Sequence, residues 1–350
     1  MKIAVLGDIS FNDIYNSLYK SGLRPFDKVG EFLQNNEYIV GNLESLCEGL
    51  GENLSKYTRV KTKQSTLNYL KHIGVNIVEL AHNHAYDTLK EGFENTISFL
   101  NNNNIRHIGA ATNIEDAQKP LIIENNDSSI CILNFVHKDT NPTIPNGAEV
   151  YVNIFDYQRV KKEIQEYKRK YDIVIVLLHW GGRTEGGSLP DFYQPSLAHQ
   201  IIDDGADIII GTHSHAIQPY EVYKDKYIFY GLGNFCFSRI GYKTPNKNAK
   251  MFWMCQSLIP IISIEHKQIT SIEVYQTDIN KDGSVVFGQC HKHRASKLFY
   301  FIFSNRKIWN IYWFYFRHIR PIIEFIITDT MTLRQKFKKI GHKLGLTKNI

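Results

Sequence analysis

The segment DIVIVLLHWG at residues 172–181 is an aliphatic run that ends in a histidine. Runs of Val, Ile and Leu are typical of strands that are buried on both faces of a sheet. Similar runs recur along the chain, at IAVLG (3–7), YIVGNLE (38–44), NIVELAH (76–82), CILNFV (131–136), DIIIGTHSH (207–215) and YIFYGLGNF (227–235). Residues 88–101 and 156–171 instead carry apolar side chains at helical spacings of three and four. Strands that alternate with helices predict an α/β sandwich.

Residues 251–289 differ from the alternating part of the chain. They contain three strand-like runs, separated by turn signals at Lys267 and at Asp282-Gly283. We expect these runs to form antiparallel strands that complete the second sheet of the same domain. The sequence therefore predicts one α/β domain over residues 1–290 and a basic, aromatic-rich helical tail over residues 291–350.

The amino-acid composition indicates the general class of protein but does not indicate a function. Hydrophobic residues make up 43% of the 350 and charged residues 22%, which is ordinary for a soluble globular protein. The five cysteines form no C-x-x-C pair, and most lie in apolar runs, so we expect buried thiols and a reducing compartment. The early run IAVLG is too short for a secretory signal. These features favour a cytoplasmic protein.

Five predicted strands end in side chains that can bind a metal ion. The endings are Gly7-Asp8, Gly41-Asn42-Leu43-Glu44, Ala81-His82-Asn83-His84, His179-Trp180-Gly181 and Gly211-Thr212-His213-Ser214-His215. In open α/β sheets, binding sites form outside the carboxyl ends of the strands. The five endings together therefore predict one metal site at that edge.

Each ending taken alone has a simpler explanation. A single Asp after a strand, such as Asp8, is usually a helix cap or a turn residue. A single histidine, such as His82 or His84, is more often a core residue with a satisfied hydrogen bond. His213 and His215 are stronger candidates, because alternation along a strand would place both on one side. The convergence of all five endings favours the metal site.

The motifs resemble those of the calcineurin-like metallophosphoesterases, and more closely those of the bacterial capsule and poly-γ-glutamate synthesis (CapA) family. The matching motifs, in order, are Gly7-Asp8, Asn42-Leu43-Glu44, His82-Asn83-His84 with Asp87, His179-Trp180-Gly181, Gly205-Ala206-Asp207, His213-Ser214-His215 and Leu232-Gly233-Asn234-Phe235. The resemblance covers about residues 1–280. It implies a metallophosphoesterase-like four-layer α/β/β/α sandwich.

The chain departs from the wider superfamily at three places. Ser10 stands where the first motif usually has a histidine, and Asn42 with Glu44 replaces a pair of aspartates. The capsule family generally shares those two changes. His82 is particular to this chain, since the family usually has Asn there. The departures bear on which metal binds and on whether both metal positions fill.

The resemblance also implies a role for each matching residue. Asp8 and His215 would bind a first metal ion, and Glu44 would bridge both ions or lie close to them. The second ion would be held by Asn83, His179 and His213.

His84 would be the general acid over the leaving group. Asp87 would orient His84, or else it would cap the helix that begins near Leu89. The cofactors implied are two divalent ions, Mn, Fe, Zn or Mg, because imidazole and carboxylate ligands suit these metals. The polar loop 181–195 is either a lid that carries Arg183 or Glu185 towards the substrate or an ordinary connection.

The C-terminal tail has its own charge and composition. Residues 291–350 hold 13 Lys and Arg against two Asp and Glu, and residues 299–316 contain ten aromatics. On a helical wheel, basic and aromatic side chains separate, which is typical of a helix at a membrane interface. The alternative is a helix packed on the domain or in a dimer. We expect residues 298–327 to contact a membrane surface or a synthase partner, which would place the protein peripherally on the inner face of the cell membrane.

The sequence thus predicts a metal-dependent hydrolase that acts in capsule, poly-γ-glutamate or other surface-polymer biosynthesis. Its substrate would be a phosphorylated compound or a polymer precursor. The alternative is a non-catalytic accessory protein of a membrane-bound polymer synthase. The tail mixes its basic residues with aliphatic ones and shows no groove-reading motif, so no nucleic acid is expected as a partner.

Overall fold

The computed structural model describes residues 1–56, 59–238, 252–289 and 293–323. The strands in these ranges are β1 Lys2–Ser10, β2 Tyr38–Leu43, β3 Leu46–Cys47, β4 Lys61–Thr62, β5 Ile77–Glu79, β6 Arg106–Ile108, β7 Ala110–Ala111, β8 Leu121–Glu124, β9 Ser129–Val136, β10 Tyr151–Val152, β11 Ile173–His179, β12 Ile208–Thr212, β13 Tyr220–Tyr223, β14 Lys226–Phe229, β15 Asn234–Phe237, β16 Gln256–Glu265, β17 Gln268–Ile279 and β18 Val285–Phe287. The α-helices are α1 Ile14–Lys20, α2 Asp27–Leu33, α3 Asn68–Ile73, α4 Leu89–Asn102, α5 Ile114–Gln118, α6 Tyr157–Lys170, α7 Gln194–Asp203, α8 Lys297–Ser304 and α9 Arg306–Phe314. Short 3₁₀ turns occur at Gln64–Leu67, Lys138–Thr140, Gly182–Thr184 and Phe252–Cys255, and a π-helical turn at Tyr315–Ile319.

Two large sheets are present among the described residues. The first has the order β18-β17-β16-β1-β2-β5-β6, and β15 also pairs with β1. The second has the order β13-β14-β12-β11-β9-β8. Neighbouring strands run parallel from β1 through β2 and β5 to β6, and from β9 through β11 and β12 to β14. Parallel strands expose all their carboxyl ends along one edge, which is where a site can form.

The hydrophobic core has a layer between the sheets and a layer outside the first sheet. Ile3 and Val5 of β1 belong to the same buried cluster as Ile175 of β11 and Ile208 of β12. The alternate residues of β1, Ala4 and Leu6, lie on the opposite face of the sheet. They belong to a second buried cluster, which includes the buried hydrophobic residues of α2, α3 and α4. Helices α6 and α7 contact the second sheet at β11 and β12. The four-layer α/β/β/α order predicted from the sequence is confirmed.

The C-terminal strands of the domain lie elsewhere than expected. β16 pairs antiparallel with β1, with Ile262 opposite Ile3, and β17 and β18 follow in sequence. They extend the sheet that contains the first strand, so the expectation that they complete the other sheet is wrong. The predicted turn at Lys267 is confirmed, because His266 and Lys267 have φ angles of 50° and 66° and connect β16 directly to β17.

The run 227–235 was expected to be one strand and forms two. β14 belongs to the second sheet, while β15 pairs with β1 of the first. The chain passes between the sheets at Gly233, whose φ is 81° and whose missing Cβ would lie 2.3 Å from the carbonyl oxygen of Gln256. Only glycine tolerates both conditions, so this residue allows one apolar run to serve two sheets.

The described residues fall into two units. The larger takes its residues from Met1–Ser238 and Trp253–Ala295, and the smaller from Arg239–Phe252 and Ser296–Ile350. Every residue predicted to bind metal or to act in catalysis belongs to the larger unit. The division at residue 290 stays a prediction, since residues 290–292 lie outside the described ranges.

The described part of the tail consists of two helices rather than the single helix assumed for the wheel. Asn305 has an extended backbone and accepts a 2.8 Å hydrogen bond from the Lys307 amide, which ends α8 and begins α9. Residues 324–327 of the predicted interfacial segment lie outside the described residues. Among the described helices, none is long and apolar enough to cross a membrane.

Candidate metal centre

The carboxyl ends of four strands bring the predicted ligands together. β1 and β2 pair so that Asp8 lies beside Asn42, and β11 and β12 pair so that His179 lies beside Thr212. Asp8, Asn42 and His179 have no exposed surface. Their strands are otherwise aliphatic, so their polar side chains can be buried at this edge only if they bind one another or a ligand.

Asp8, Glu44 and His215 form the first group of donors. One donor atom from each lies within 4.8 Å of the others, and all three side chains are buried. His215 Nδ1 lies 3.2 Å from Asp8 Oδ2, and His215 Nε2 lies 3.6 Å from Glu44 Oε1. Two carboxylates and an imidazole at this spacing can hold a divalent metal ion.

Asn83, His179 and His213 form a second group beside the first. His179 Nε2 lies 3.0 Å from Asn83 Oδ1 and 3.1 Å from His213 Nδ1. Asn42 Nδ2 connects the two groups, because it donates to Asp8 Oδ1 at 2.8 Å and lies 3.4 Å from His179 Nδ1. The structure therefore brings all six predicted ligands to one place, in the two groups that the resemblance implied.

The route by which His213 and His215 reach the site differs from the expectation. β12 ends at Thr212, and the two histidines lie beyond it with φ angles of 84° and 52°. The inference from strand alternation is therefore wrong, although both rings do enter the site. Left-handed backbone at residues other than glycine is unfavourable and concentrates at functional sites.

Several buried polar atoms of the site have no hydrogen-bond partner among the described residues. These atoms are Asn42 Oδ1, Glu44 Oε1, Glu44 Oε2, His82 Nε2 and His213 Nε2. Leaving a buried polar group unpaired costs roughly 1–3 kcal/mol, and more for a charged one. Both oxygens of Glu44 and a ring nitrogen of His213 are donors that metal ions accept. The residues present thus fit divalent metal ions.

The charges of the first group favour bound protons when no cation is present. Burial, and next the charge of Asp8, raise the pKa of Glu44 to about 8. Burial lowers the pKa of His215, but Glu44 and Asp8 outweigh it and raise that pKa to about 10. Burial raises the pKa of Asp8, yet its contact with His215 brings it below the ordinary value. A metal ion would have to displace protons from Glu44 and His215.

The histidines of the second group are neutral. Burial, and next the neighbouring His213, hold the pKa of His179 well below its ordinary value. Burial also lowers the pKa of His213 to about 4. Neutral imidazole is the form that binds a metal ion. This side of the site is therefore ready to bind without losing a proton.

His84 and Asp87 form a buried pair at the edge of the first group. His84 Nδ1 lies 2.5 Å from Asp87 Oδ2, and His84 Nε2 lies 3.6 Å from Glu44 Oε1. Asp87 also accepts the Val60 amide at 2.8 Å, whereas Thr88 occupies the cap position of α4. Asp87 thus contacts His84 and does not cap the helix. Burial lowers the pKa of His84, and the charge of Asp87 opposes that shift.

Three residues near the site had no role assigned from the sequence. Asn234, in the Leu-Gly-Asn-Phe motif, places its Oδ1 2.9 Å from His215 Nδ1. Lys56 places its ammonium against the Asn83 carbonyl, Asp87 and His84. Asp139 accepts hydrogen bonds of 3.2 Å from both the Gly181 and Gly182 amides, just after His179. The Asn234 motif offered a signal, but no spacing pointed to Lys56 or Asp139.

The loop 181–195 is attached to the segment that carries His213 and His215. The Gly186 amide donates to the Ser214 carbonyl at 2.7 Å, and Gln218 Nε2 donates to the Leu189 carbonyl at 3.1 Å. Glu185 is exposed, yet its charge acts on the pKa of His213 and of His215. Glu185 thus acts electrostatically on the site from this loop.

Asp207, which contributed to the motif match, has a structural position. Its Oδ2 accepts the Val174 amide at 2.9 Å and forms a 2.6 Å ion pair with Lys168. These contacts lie at the start of β12, at the end of the strand opposite to His213. Asp207 ties β11 to β12 and contacts no predicted ligand.

Two curated proteins are similar to much of this chain. The capsule biosynthesis protein CapA of Bacillus anthracis is 30% identical over 223 residues, covering 61% of this chain and 54% of that protein. The PGA biosynthesis protein CapA of Bacillus subtilis is 29% identical over 226 residues, covering 61% and 57%. The chain thus spans about half the length of the curated relatives it matches.

A solved structure supports the fold. A Staphylococcus aureus protein described as a candidate 5′-nucleotidase, crystallised with α-ketoglutarate, superposes with a TM-score of 0.50 at 12% identity. The match covers 89% of this chain and 58% of that one. At this identity the likeness concerns the fold alone, which is an α/β sandwich.

A family model gives the assignment. The model described as bacterial capsule synthesis protein PGA_cap matches residues 2–239, which include every predicted ligand as well as His84 and Asp87. The resemblance inferred from the motifs is confirmed over two thirds of the sequence. The chain belongs to the bacterial capsule synthesis protein family PGA_cap.

Proposed function

We propose that this protein is a dinuclear metal-dependent hydrolase that cleaves a phosphoester, or a related ester or amide bond, during synthesis of a capsule or another surface polymer. The main support for the proposal is the environment of the Glu44 side chain. Its carboxyl is fully buried, has no hydrogen-bond partner among the described residues, and lies 3.6 Å from both His84 and His215. A divalent cation bound beside it would give both carboxyl oxygens a ligand to bind.

The proposed ligands divide between two ions. Asp8 and His215 would hold one, Asn83, His179 and His213 the other, and Glu44 would lie between them. Two bound divalent ions lower the pKa of a shared water and stabilise both oxygens of an in-line displacement. The burial of Asp8, Glu44, His179, His213 and His215 would strengthen electrostatic interactions at the site.

His84 would donate the proton to the leaving group. Asp87 holds the Nδ1 side of the ring, so Nε2 is the atom that faces Glu44 and the site. With the Nδ1 proton directed at Asp87, Nε2 can donate only when the ring is the imidazolium. Burial opposes that form, and Asp87 favours it. The negative charge of a bound phosphoryl group would favour it further.

The polymer context rests on the relatives. Both curated proteins are named for capsule or PGA biosynthesis. The proposed substrate is accordingly a phosphorylated compound or a polymer precursor, and the likeness in fold to a candidate 5′-nucleotidase favours the phosphorylated one. The metal site itself does not select the leaving group, because activated water attacks many electrophiles.

The full chain should contain metal and hydrolyse phosphoesters. Elemental analysis of the purified protein should find about two divalent ions per chain, as a dinuclear site requires. A panel of aryl and alkyl phosphoesters should be hydrolysed, chelation should abolish the activity, and one of Mn, Fe, Zn or Mg should restore it. Metal-free protein that is inactive with every added ion would contradict the proposal and favour the accessory role.

The pH dependence of metal binding provides a second test of the proposed ligands. Glu44 and His215 hold protons at neutral pH, because their pKa values are raised to about 8 and about 10. Affinity should therefore strengthen as pH rises from 6 towards about 8, with protons released on binding. Calorimetric titration in buffers of different ionisation enthalpy measures the release. Uptake that is independent of both pH and buffer would contradict this assignment.

We also propose that the tail docks the protein on a membrane surface or a synthase, at the inner face of the cell membrane. The observation is the exposure of its large apolar side chains. Leu298 is 64% exposed, Phe301 59%, Ile311 70% and Phe314 55%. Arg and Lys residues in the same helices would favour anionic lipids. The accessory alternative uses the same surface, with the synthase as the partner.

Removing the tail should abolish vesicle binding and leave the metal site intact. The cut belongs after Ala295, because the Tyr220 amide and carbonyl pair with His293 and Ala295 at 2.9 and 2.6 Å. The full chain should sediment with anionic vesicles, and more weakly as salt rises, since exposed charges are screened over about 8–10 Å. If the full chain fails to sediment and the shorter chain aggregates, the tail packs on protein instead.

A further inference from the structure

A buried lysine lies behind the proposed general acid. The side chain of Lys56 is 9% exposed, although no motif includes it. Its Nζ donates to the Asn83 carbonyl and lies 3.3 Å from Asp87 Oδ1 and 3.1 Å from His84 Nδ1. An ammonium group loses favourable hydration when it is buried, and the Asn83 carbonyl and the Asp87 carboxylate compensate for that loss.

The segment that carries Lys56 is fastened to the same turn. The Asn53 amide donates to the Asp87 carbonyl at 2.9 Å, and the Val60 amide donates to Asp87 Oδ2 at 2.8 Å. Asn53 Nδ2 also donates to the Thr143 carbonyl at 2.8 Å. The backbone therefore contacts Asp87 on both sides of Lys56, at Asn53 and at Val60.

The turn from Asn83 to Asp87 carries two functional groups and contains no regular helix or strand. At its start, Asn83 directs its Oδ1 to within 3.0 Å of His179 Nε2. His84 directs Nε2 towards Glu44. Lys56 contacts the turn at both ends, through the Asn83 carbonyl and the Asp87 carboxyl, so its single charge can hold the whole turn in one geometry.

We propose that Lys56 is a positioning residue, which fixes the Asn83–Asp87 turn and thereby directs the Asn83 amide oxygen and the His84 ring into the metal site. Lys56 itself lies on the far side of His84 from Glu44, against the Nδ1 atom, so it acts through its neighbours. The effect on turnover rests on the proposed hydrolase function. The effect on the geometry of the turn does not.

The first test reads the turn directly, in metal-free full-length protein labelled with ¹⁵N-histidine. The His84 Nδ1 proton, identified by its loss in His84→Gln, should give a strongly downfield signal, because the short 2.5 Å contact with Asp87 deshields it and burial slows its exchange with water. In Lys56→Met the signal should shift or broaden, and Lys56→Arg should restore it. Lys61→Met is the matched control, since Lys61 is 47% exposed and pairs with Glu52. Lys56→Gln gives a second readout if the Met variant does not fold.

The second test measures metal affinity and turnover. Lys56→Met should weaken the binding of Mn²⁺ or Zn²⁺ and lower kcat by roughly 10–100-fold, the usual effect of losing a group that orients a ligand. KM should change little, and Lys61→Met should change nothing. An unaltered His84 signal together with unaltered metal affinity in folded Lys56→Met overturns the inference. If the natural chain hydrolyses nothing, the proposed function fails, and the histidine spectrum still decides the role of Lys56.

Discussion

Replacing Glu44 with Gln should remove bound metal and abolish hydrolysis, with a loss of more than about 100-fold, beyond the range seen for groups that only orient ligands. Glutamine keeps the volume of the side chain but not the negative charge that a divalent ion requires. Asp8→Ala and His213→Ala should act in the same direction. Elemental analysis and a phosphoester assay measure the two effects on the same preparations.

The fold should survive the Glu44 substitution. Neither carboxyl oxygen of Glu44 has a hydrogen-bond partner among the described residues, so the substitution removes no hydrogen bond and weakens only the 3.6 Å contacts with His84 and His215. An orphaned buried polar group destabilises the folded state. The Tm of metal-free Glu44→Gln should therefore equal or exceed that of the metal-free natural chain, and a marked fall would show that Glu44 has a structural role.

Glu79 offers a matched control for Glu44. It is also a buried carboxyl, 1% exposed, and β5 places it beside Asn42 in the neighbouring strand. Burial, and next the charge of Asp8, hold the pKa of Glu79 well above its ordinary value, which favours the uncharged form of the group. Glu79→Gln should keep metal and activity. If both variants retain full metal content, the assignment of Glu44 is wrong.

Replacing His84 with Ala should leave metal content unchanged and slow turnover by roughly 10²–10⁴-fold, the usual contribution of a general acid. His84 Nε2 lies 3.6 Å from Glu44 Oε1, and His84 is not needed to complete either group of donors. The loss should appear mainly in kcat, because proton donation matters in the transition state rather than in substrate binding.

The choice of leaving group distinguishes an acid from a mere binding group. A nitrophenolate leaves without protonation, so His84→Ala should lose little on that substrate and much on an alkyl phosphate. Asp87→Asn should show the same pattern more weakly, since it removes the charge that holds Nδ1. Equal losses on good and poor leaving groups would exclude the acid role, and loss of metal in His84→Ala would reassign it as a ligand.

Part of the fold follows from local patterns that the sequence shows. Aliphatic runs such as 172–181 and 207–215 contain the strands β11 and β12, as expected of side chains that are buried on both faces of a sheet. The apolar spacing in 88–101 and 156–171 gives α4 and α6 nearly to the residue. The sheet to which β16 belongs was harder to infer. β16 pairs with β17, which follows it directly, and also with β1, and no local feature of the sequence indicates the second pairing. The pairing of β16 with β1 joins residues far apart in the sequence, such as Ile3 and Ile262. It depends on how the whole first sheet is assembled, which no short stretch of sequence shows.

The sequence by itself determined the kind of site: polar side chains placed after buried strands supply Asp8, Glu44, Asn83, His179, His213 and His215, and parallel strands bring such ends to one edge. Tertiary structure alone decided how His213 and His215 reach the site, because their left-handed backbone is imposed by surroundings rather than by residue type. It also decided that Asn234 and Lys56 belong there. Both make contacts that join distant segments, and contacts of that kind leave no periodicity in the chain. Burial in the folded chain also shifts the pKa values of the site. Loss of water raises the pKa of Glu44 and lowers that of His179, so the uncharged form of each is favoured.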